Sequence, residues 1–93
     1  MKRVCVLGAG GFIGKNLINK HSDWVGITRK DLDLTDQQAV EDHFKVNKYD
    51  IVIHCAVVGG SRLQKDEDTV FYKNVLMFEN LVRVFKGKII YFS

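Results

Sequence analysis

Three glycines, each three residues after the last, follow the first apolar segment of the chain. Gly8, Gly11 and Gly14 come directly after residues 4–7, which read Val-Cys-Val-Leu. Gly8 allows a sharp bend after a strand, Gly11 allows a pyrophosphate to approach the backbone, and Gly14 allows a helix to pack closely on the sheet. The spacing predicts a strand-to-helix turn that holds an anion on free N–H groups at the positive end of a helix dipole.

The strict GxGxxG pattern does not fit this segment. If it began with Gly8 and Gly10, it would require a glycine where Ile13 stands, so the register that fits is GxxGxxG. A glycine triplet alone could be a tight turn that binds nothing. An apolar strand before it and a segment with helical periodicity after it, from Phe12 onward, favour the phosphate-binding interpretation.

Size and charge limit the classes of function. We expect residues 1–93 to form one small domain of truncated dinucleotide-binding type. The net charge of +3 comes from basic residues scattered along the chain, which argues against a nucleic-acid partner. No apolar stretch approaches the roughly 18–20 residues that span a bilayer, so we expect no membrane association and a cytoplasmic location.

Strands and helices are predicted to alternate. Further strands are expected over residues 24–28, 49–56 and 89–92, with a helix after Thr35 or Asp36 whose residues Val40, Phe44 and Val46 share one face. This pattern predicts an α/β fold: half of a Rossmann-type doubly wound parallel sheet of about four strands, with helices on both faces. We expect the strand order 3-2-1-4, which puts a ligand crevice between strands 1 and 4.

The last predicted helix, residues 66–85, carries apolar residues over more of its circumference than one core-facing stripe needs. Strand 4 after it would leave an open apolar edge. Both features predict a second packing partner, and a homodimer through this helix or this edge is one candidate.

Cysteine and histidine in the predicted strands have a simple interpretation. Cys5 and Cys55 are far apart in sequence and lack metal-ligand spacing, so they are expected to be reduced core thiols and no metal site is expected. His54 lies in an apolar run, where a lone histidine is more often a hydrogen-bonded core residue than a base or a ligand.

Four segments together resemble the extended short-chain dehydrogenase/reductase family, in its subgroup of NAD(P)-dependent nucleotide-sugar epimerases, dehydratases and reductases. They are the glycine turn, residues 31–36 (Asp-Leu-Asp-Leu-Thr-Asp), residues 49–56, and the long helix with Asn74. The resemblance covers the whole chain but only the N-terminal third of such an enzyme. The family's catalytic Tyr-xxx-Lys pair does not occur in these residues, so we expect the isolated chain to be non-catalytic.

The resemblance implies a dinucleotide cofactor, NADP or NAD, and a set of residues that bind it. Arg29 after the second strand favours NADP, although it could be a surface cation, and Asp31 could instead bond a ribose. Asp33 would accept from the adenine amine and Leu34 would cover the ring, although the two could form only a turn that leads into a helix. The implied cofactor-binding set is Gly8, Gly10, Gly11, Phe12, Ile13, Gly14, Arg29, Asp33, Leu34, Cys55, Ala56, Val57 and Asn74.

Overall fold

A computed structural model of the chain describes residues 2–56 and 67–91, with the backbone alone for residues 67–71. Strands and helices alternate as predicted. The elements are β1 (Val4–Leu7), α1 (Phe12–Lys20), β2 (Val25–Ile27), α2 (Gln37–Val46), β3 (Ile51–His54), α3 (Glu67–Val84) and β4 (Lys88–Tyr91). No helix of this described part combines the length and apolarity needed to cross a membrane.

The four strands form one parallel sheet in the order β2-β1-β3-β4. The doubly wound Rossmann-type class is confirmed, but the predicted order 3-2-1-4 is wrong because β3 pairs with β1 rather than with β2. Leu7, for example, is the register partner of His54. β2 accounts for the difference: it has only three residues and exposes Gly26, as suits an edge strand, whereas the predicted order would place it inside the sheet.

The new order moves the ligand crevice. α1 packs on one face of the sheet, while α2 and α3 pack together on the other, so the direction of winding reverses between β1 and β3. In an open α/β sheet, the crevice lies outside the carboxyl ends of the two strands at that reversal. It is therefore between β1 and β3, not between β1 and β4.

The larger part of the core lies between the sheet and the α2–α3 layer. Val40 and Phe44 of α2 are buried there as predicted, but Val46 is 81% exposed and does not share their face. Two residues turn a helix by roughly 200°, which places Val46 opposite Phe44. Asp36, rather than Thr35, caps α2, and its carboxylate accepts from the N–H of Ala39 at 3.2 Å.

The two cysteines have free thiols on opposite faces of the sheet. Cys5 is fully buried on the α2–α3 side, and Cys55 is partly buried against the α1 side. Burial raises the pKa of Cys5 to about 12 and also raises the pKa of Cys55. Both thiols therefore remain protonated and weakly reactive at neutral pH.

Candidate functional site

A cavity of about 820 Å³ opens at the carboxyl ends of β1 and β3. This volume is in the range of pockets that hold small-molecule ligands and cofactors. The described residues that line it are Leu7, Gly8, Gly10, Gly11, Lys15, Ile27, Thr28, Arg29, Lys30, Leu32, Asp33, Leu34, Thr35, Cys55, Ala56, Lys73 and Met77.

Two glycines close the strand-to-helix turn at the bottom of this cavity. Gly8 has a φ of +85°, and a Cβ on it would lie 2.7 Å from the backbone nitrogen of Ala56. A Cβ on Gly14 would collide with the carbonyl oxygen of Gly8 and lie 2.7 Å from Cα of Ala9. Gly14 therefore allows α1 to pack against the turn itself, and Gly8 allows the turn to lie against the end of β3.

The start of α1 has backbone N–H groups that donate to no acceptor in the described residues. The N–H groups of Gly8 and Ala9 both donate to Ile27 O, at 2.9 and 3.0 Å, whereas those of Phe12 and Ile13 donate to no acceptor in the described residues. The first turn of α1 contains no acidic residue and has no side-chain cap. These N–H groups and the helix dipole leave this end of the cavity suited to an anion.

Phe12 and Ile13 would act only through their backbone. Their side chains are 84% and 41% exposed, and neither residue lines the cavity. Lys15, one turn further along α1, does line it and was missed by the sequence analysis. Its ammonium group adds positive charge on the same side as the free N–H groups.

The turn after β2 separates its acidic and basic side chains. Asp31 Oδ2 accepts from both the N–H and the hydroxyl of Thr28, each at 3.0 Å, and these bonds lower the pKa of Asp31. Asp31 does not line the cavity, whereas Arg29 and Lys30 are exposed and do. Of the two interpretations of this turn, cation or carboxylate toward the ligand, the geometry favours the cation.

A second turn, residues 32–35, forms the next wall. Oδ1 of Asp33 accepts from the N–H and the hydroxyl of Thr35, which lowers the pKa of Asp33, and Arg29 and Lys73 add to the effect. No described residue donates to Oδ2 of Asp33, so that oxygen remains available as an acceptor. Leu34 is 5% exposed and presents an apolar surface beside it.

The remaining wall combines the end of β3 with α3. Cys55 and Ala56 line the cavity from the end of β3, and Lys73 and Met77 face it from α3, four residues apart. Among the described residues, Lys15, Arg29, Lys30 and Lys73 give the lining four cationic side chains, and Asp33 gives it one carboxylate. Such a lining fits a ligand with several negative charges.

Eight of the predicted residues line the cavity, whereas Phe12, Ile13, Gly14 and Asn74 do not. Gly14 packs beneath the turn, and Asn74 is half-buried on α3 without lining the cavity. Val57, the loop of residues 58–62 and Ser93 lie outside the described residues. The eight are Gly8, Gly10, Gly11, Arg29, Asp33, Leu34, Cys55 and Ala56.

His54 and a metal site are the remaining candidates for chemistry in the chain. His54 does not line the cavity and is 1% exposed, so it is a core residue as expected. The expected hydrogen bond is lacking at one nitrogen, because Nδ1 has no partner among the described residues. Those residues also contain no group of three or more His, Cys, Asp or Glu side chains that could hold a metal ion.

Residues 4–93 match the NAD dependent epimerase/dehydratase family. The chain belongs to that family.

Individual relatives agree with this assignment. GDP-L-colitose synthase of Yersinia pseudotuberculosis is 32% identical over 90 residues, which is 90% of this chain and 29% of that protein. A GDP-mannoheptose C4 reductase from Campylobacter jejuni with NADP bound superposes with a TM-score of 0.82 at 26% identity, covering 99% of this chain and 30% of that one. A dTDP-4-dehydrorhamnose reductase from Bacillus anthracis in complex with NADP gives the same TM-score and identity over 96% of this chain and 35% of that one. The chain therefore spans about a third of the length of these relatives.

Proposed function

We propose that the chain binds the adenosine and pyrophosphate portions of NADP in the cavity between β1 and β3. The observation that carries this proposal is the pairing of an uncapped helix start at residue 12 with a lining that has, among the described residues, four cationic side chains and one carboxylate. A diphosphate needs both backbone donors and positive charge, and the cavity supplies them on one side.

The preference for NADP over NAD rests on the turn after β2. An NAD-specific site needs a free carboxylate for the ribose hydroxyls, whereas an NADP site needs a cation for the 2′-phosphate. Asp31 does not line the cavity, and its Oδ2 accepts from Thr28, while Arg29 and Lys30 do line the cavity. The bound NADP in the two reductases compared above supports the same preference.

A calorimetric comparison of NADPH and NADH tests both parts. We expect the chain to bind NADPH about tenfold more tightly than NADH, and Arg29→Ala to remove that difference by weakening NADPH alone. Arg83→Ala is the control, because it removes an equally exposed cation on α3 that does not line the cavity. Equal affinity for the two cofactors overturns the NADP preference, and no heat at millimolar concentration overturns dinucleotide binding itself.

We further propose that this part serves an enzyme that epimerises, dehydrates or reduces a nucleotide sugar, and that these 93 residues alone do not turn it over. Tyr49, Tyr72 and Tyr91 are not followed by a lysine four residues later, so these residues do not supply a Tyr-xxx-Lys pair as the acid-base group. Incubation with NADPH and a GDP-linked 4-keto sugar should leave the absorbance of NADPH unchanged. Steady oxidation that depends on the sugar would contradict this.

A second candidate function is assembly, and exposed apolar side chains on α3 favour it. Tyr72, Val75 and Phe78 are 65%, 36% and 39% exposed on this helix, and Ile90 and Tyr91 are exposed on the edge strand β4. We propose homodimerisation through these surfaces, which is compatible with cofactor binding.

Sedimentation at micromolar concentration tests the assembly proposal. Tyr72→Glu should shift a dimer toward monomer, because a carboxylate would be buried at the contact. Val46→Glu is the control, since Val46 is 81% exposed on α2 and lies outside the proposed surface. A monomer in the parent chain at every concentration excludes the dimer.

A further inference from the structure

Asn80 is one of only two buried polar side chains in the described residues, and its carboxamide spans two parts of the fold. It is 2% exposed on α3, and its Nδ2 donates to the carbonyl oxygen of Leu34 at 2.9 Å. The two residues are 46 positions apart in sequence. A buried amide that makes a long-range hydrogen bond helps to fix the position of the segment it bonds to.

The bond holds the wall of the cavity. Residues 32–35 are neither helix nor strand, and no backbone N–H of the described residues donates to the Leu34 carbonyl. Within the turn, Thr35 and Asp36 bond back to Asp33, so these bonds shape the turn but do not attach it to a neighbouring element. Leu32 N–H donates to Thr28 O at 3.1 Å, and the side chains of Leu32 and Leu34 pack in the core. The amide of Asn80 adds a hydrogen bond from α3 to the backbone of the turn.

Asn80 lies next to the part of α3 that lines the same cavity. Lys73 and Met77 reach the lining, and Asn80 follows Met77 by three residues on the same side of the helix. One face of α3 thus forms one wall directly and fixes the opposing turn through Leu34. The Asn80 bond is a direct hydrogen bond between these two walls.

We propose that Asn80 is a positioning residue that holds the turn of residues 32–35 at the separation from α3 that an adenine ring requires. It does not line the cavity and acts through Leu34 and its neighbour Asp33. This inference rests on the proposed dinucleotide site. It predicts that loss of the amide weakens binding at the adenine end and spares the pyrophosphate end, which the glycine turn forms separately.

Two probes separate the two ends. In NMR titrations of the full chain, Asn80→Leu should bind 2′,5′-ADP about fivefold or more weakly than the parent, because the turn loses its anchor. Inorganic pyrophosphate should bind within about twofold of the parent, since Gly11 and the start of α1 are unchanged. Asn80→Ala, which also removes the donor, should weaken 2′,5′-ADP binding in the same way, and it replaces the leucine variant if that variant does not fold.

A matched control exists elsewhere in the chain. Asn47 also donates its Nδ2 to a backbone carbonyl at 2.9 Å, that of His43, at the far end of α2. Asn47→Leu should leave both affinities unchanged. If it weakens 2′,5′-ADP as much as Asn80→Leu does, or if Asn80→Leu binds this probe as the parent does, the positioning role is overturned.

Amide hydrogen exchange decides the same point without a ligand. Loss of the anchor should speed exchange of the Thr35 and Asp36 N–H groups in the Asn80 variants but not in Asn47→Leu. If the parent fails to bind 2′,5′-ADP, the proposed function falls, while exchange still shows whether Asn80 holds the turn. Unchanged exchange in both Asn80 variants overturns the positioning role.

Discussion

His54 of β3 and Tyr91 of β4 are register partners whose ring centroids lie 5.2 Å apart. Phe78 of α3 closes the same group, with its ring centroid 6.4 Å from that of His54. The imidazole is 1% exposed, and Nδ1 has no partner in the described residues. Because burial among these rings penalises the charged form, the pKa of His54 falls to about 4.

This histidine should make folding sensitive to mild acid. The unfolded chain takes up a proton near the ordinary pKa of 6.5, whereas the folded chain does so only near 4. The free energy of unfolding should therefore decrease as the pH falls from about 6.5 to about 4, by up to about 3 kcal/mol. Urea denaturation at a series of pH values measures this directly.

His54→Phe should flatten most of that pH dependence, because phenylalanine fills a similar volume and does not titrate. A smaller slope should persist, since partial burial also lowers the pKa of His43. His21→Phe is the control, because His21 is exposed. An unchanged slope in His54→Phe would show that the folded chain does take up a proton at this position.

Gly14→Ala should destabilise the fold. Its Cβ would meet only backbone atoms of the glycine turn, which have little freedom to move, so α1 or the turn must shift. We expect a loss of about 2 kcal/mol or more in urea denaturation, although alanine favours a helix. Gly11→Ala is the matched control, since its Cβ would lie 3.6 Å from its nearest neighbour, Gly8 O, and fits.

Gly11→Asp should separate stability from binding. Gly11 is the N-cap of α1 and has an extended backbone, with φ −84° and ψ 177°, which aspartate also adopts at N-caps. Stability should stay level or rise by a few tenths of a kcal/mol, while the new carboxylate occupies the region proposed for the pyrophosphate. NADPH titration should show binding lost in this variant. Affinity equal to the parent's would refute a pyrophosphate at this turn.

Asp36→Ala removes the N-cap of α2. The N–H of Ala39 would lose its acceptor, so we expect a loss of about 1 kcal/mol in the free energy of unfolding. Asp42→Ala is the control, because Asp42 bonds only the exposed side chain of Gln38 in the described residues and should change stability little. Equal losses in the two variants would mean that the cap contributes nothing beyond surface charge.

Local patterns predicted the elements, whereas long-range pairing stayed out of reach. The strand β3 and the start of α2 could be predicted because hydrophobic periodicity and helix caps act over only a few residues. A single sequence does not indicate that Ile51 pairs with Val4, and this pairing sets the strand order. The sequence signal for an edge strand was a glycine, Gly26, in the middle of the short strand β2.

In the candidate site too, some residues could be predicted from the sequence and others could not. Arg29, Asp33 and Ala56 directly follow or lie near strand ends, and the carboxyl ends of parallel strands share one edge, so their convergence follows from the fold class. Lys73 and Met77 were missed because their place depends on how α3 rotates about its axis when it packs. The amide of Asn80 was missed for the same reason, although a polar residue between Met77 and Leu81 on a core-facing stripe was a visible signal.

The close approach of Gly8 to Ala56 joins segments that are distant along the chain, and this has a kinetic consequence. A partly folded chain that has formed only β1, α1 and β2 lacks the cavity, because the end of β3 forms one of the cavity walls. A nucleotide would therefore bind only after this long-range pairing of β1 with β3 is complete. Its presence should slow unfolding rather than speed folding, and protect the finished domain against proteolysis.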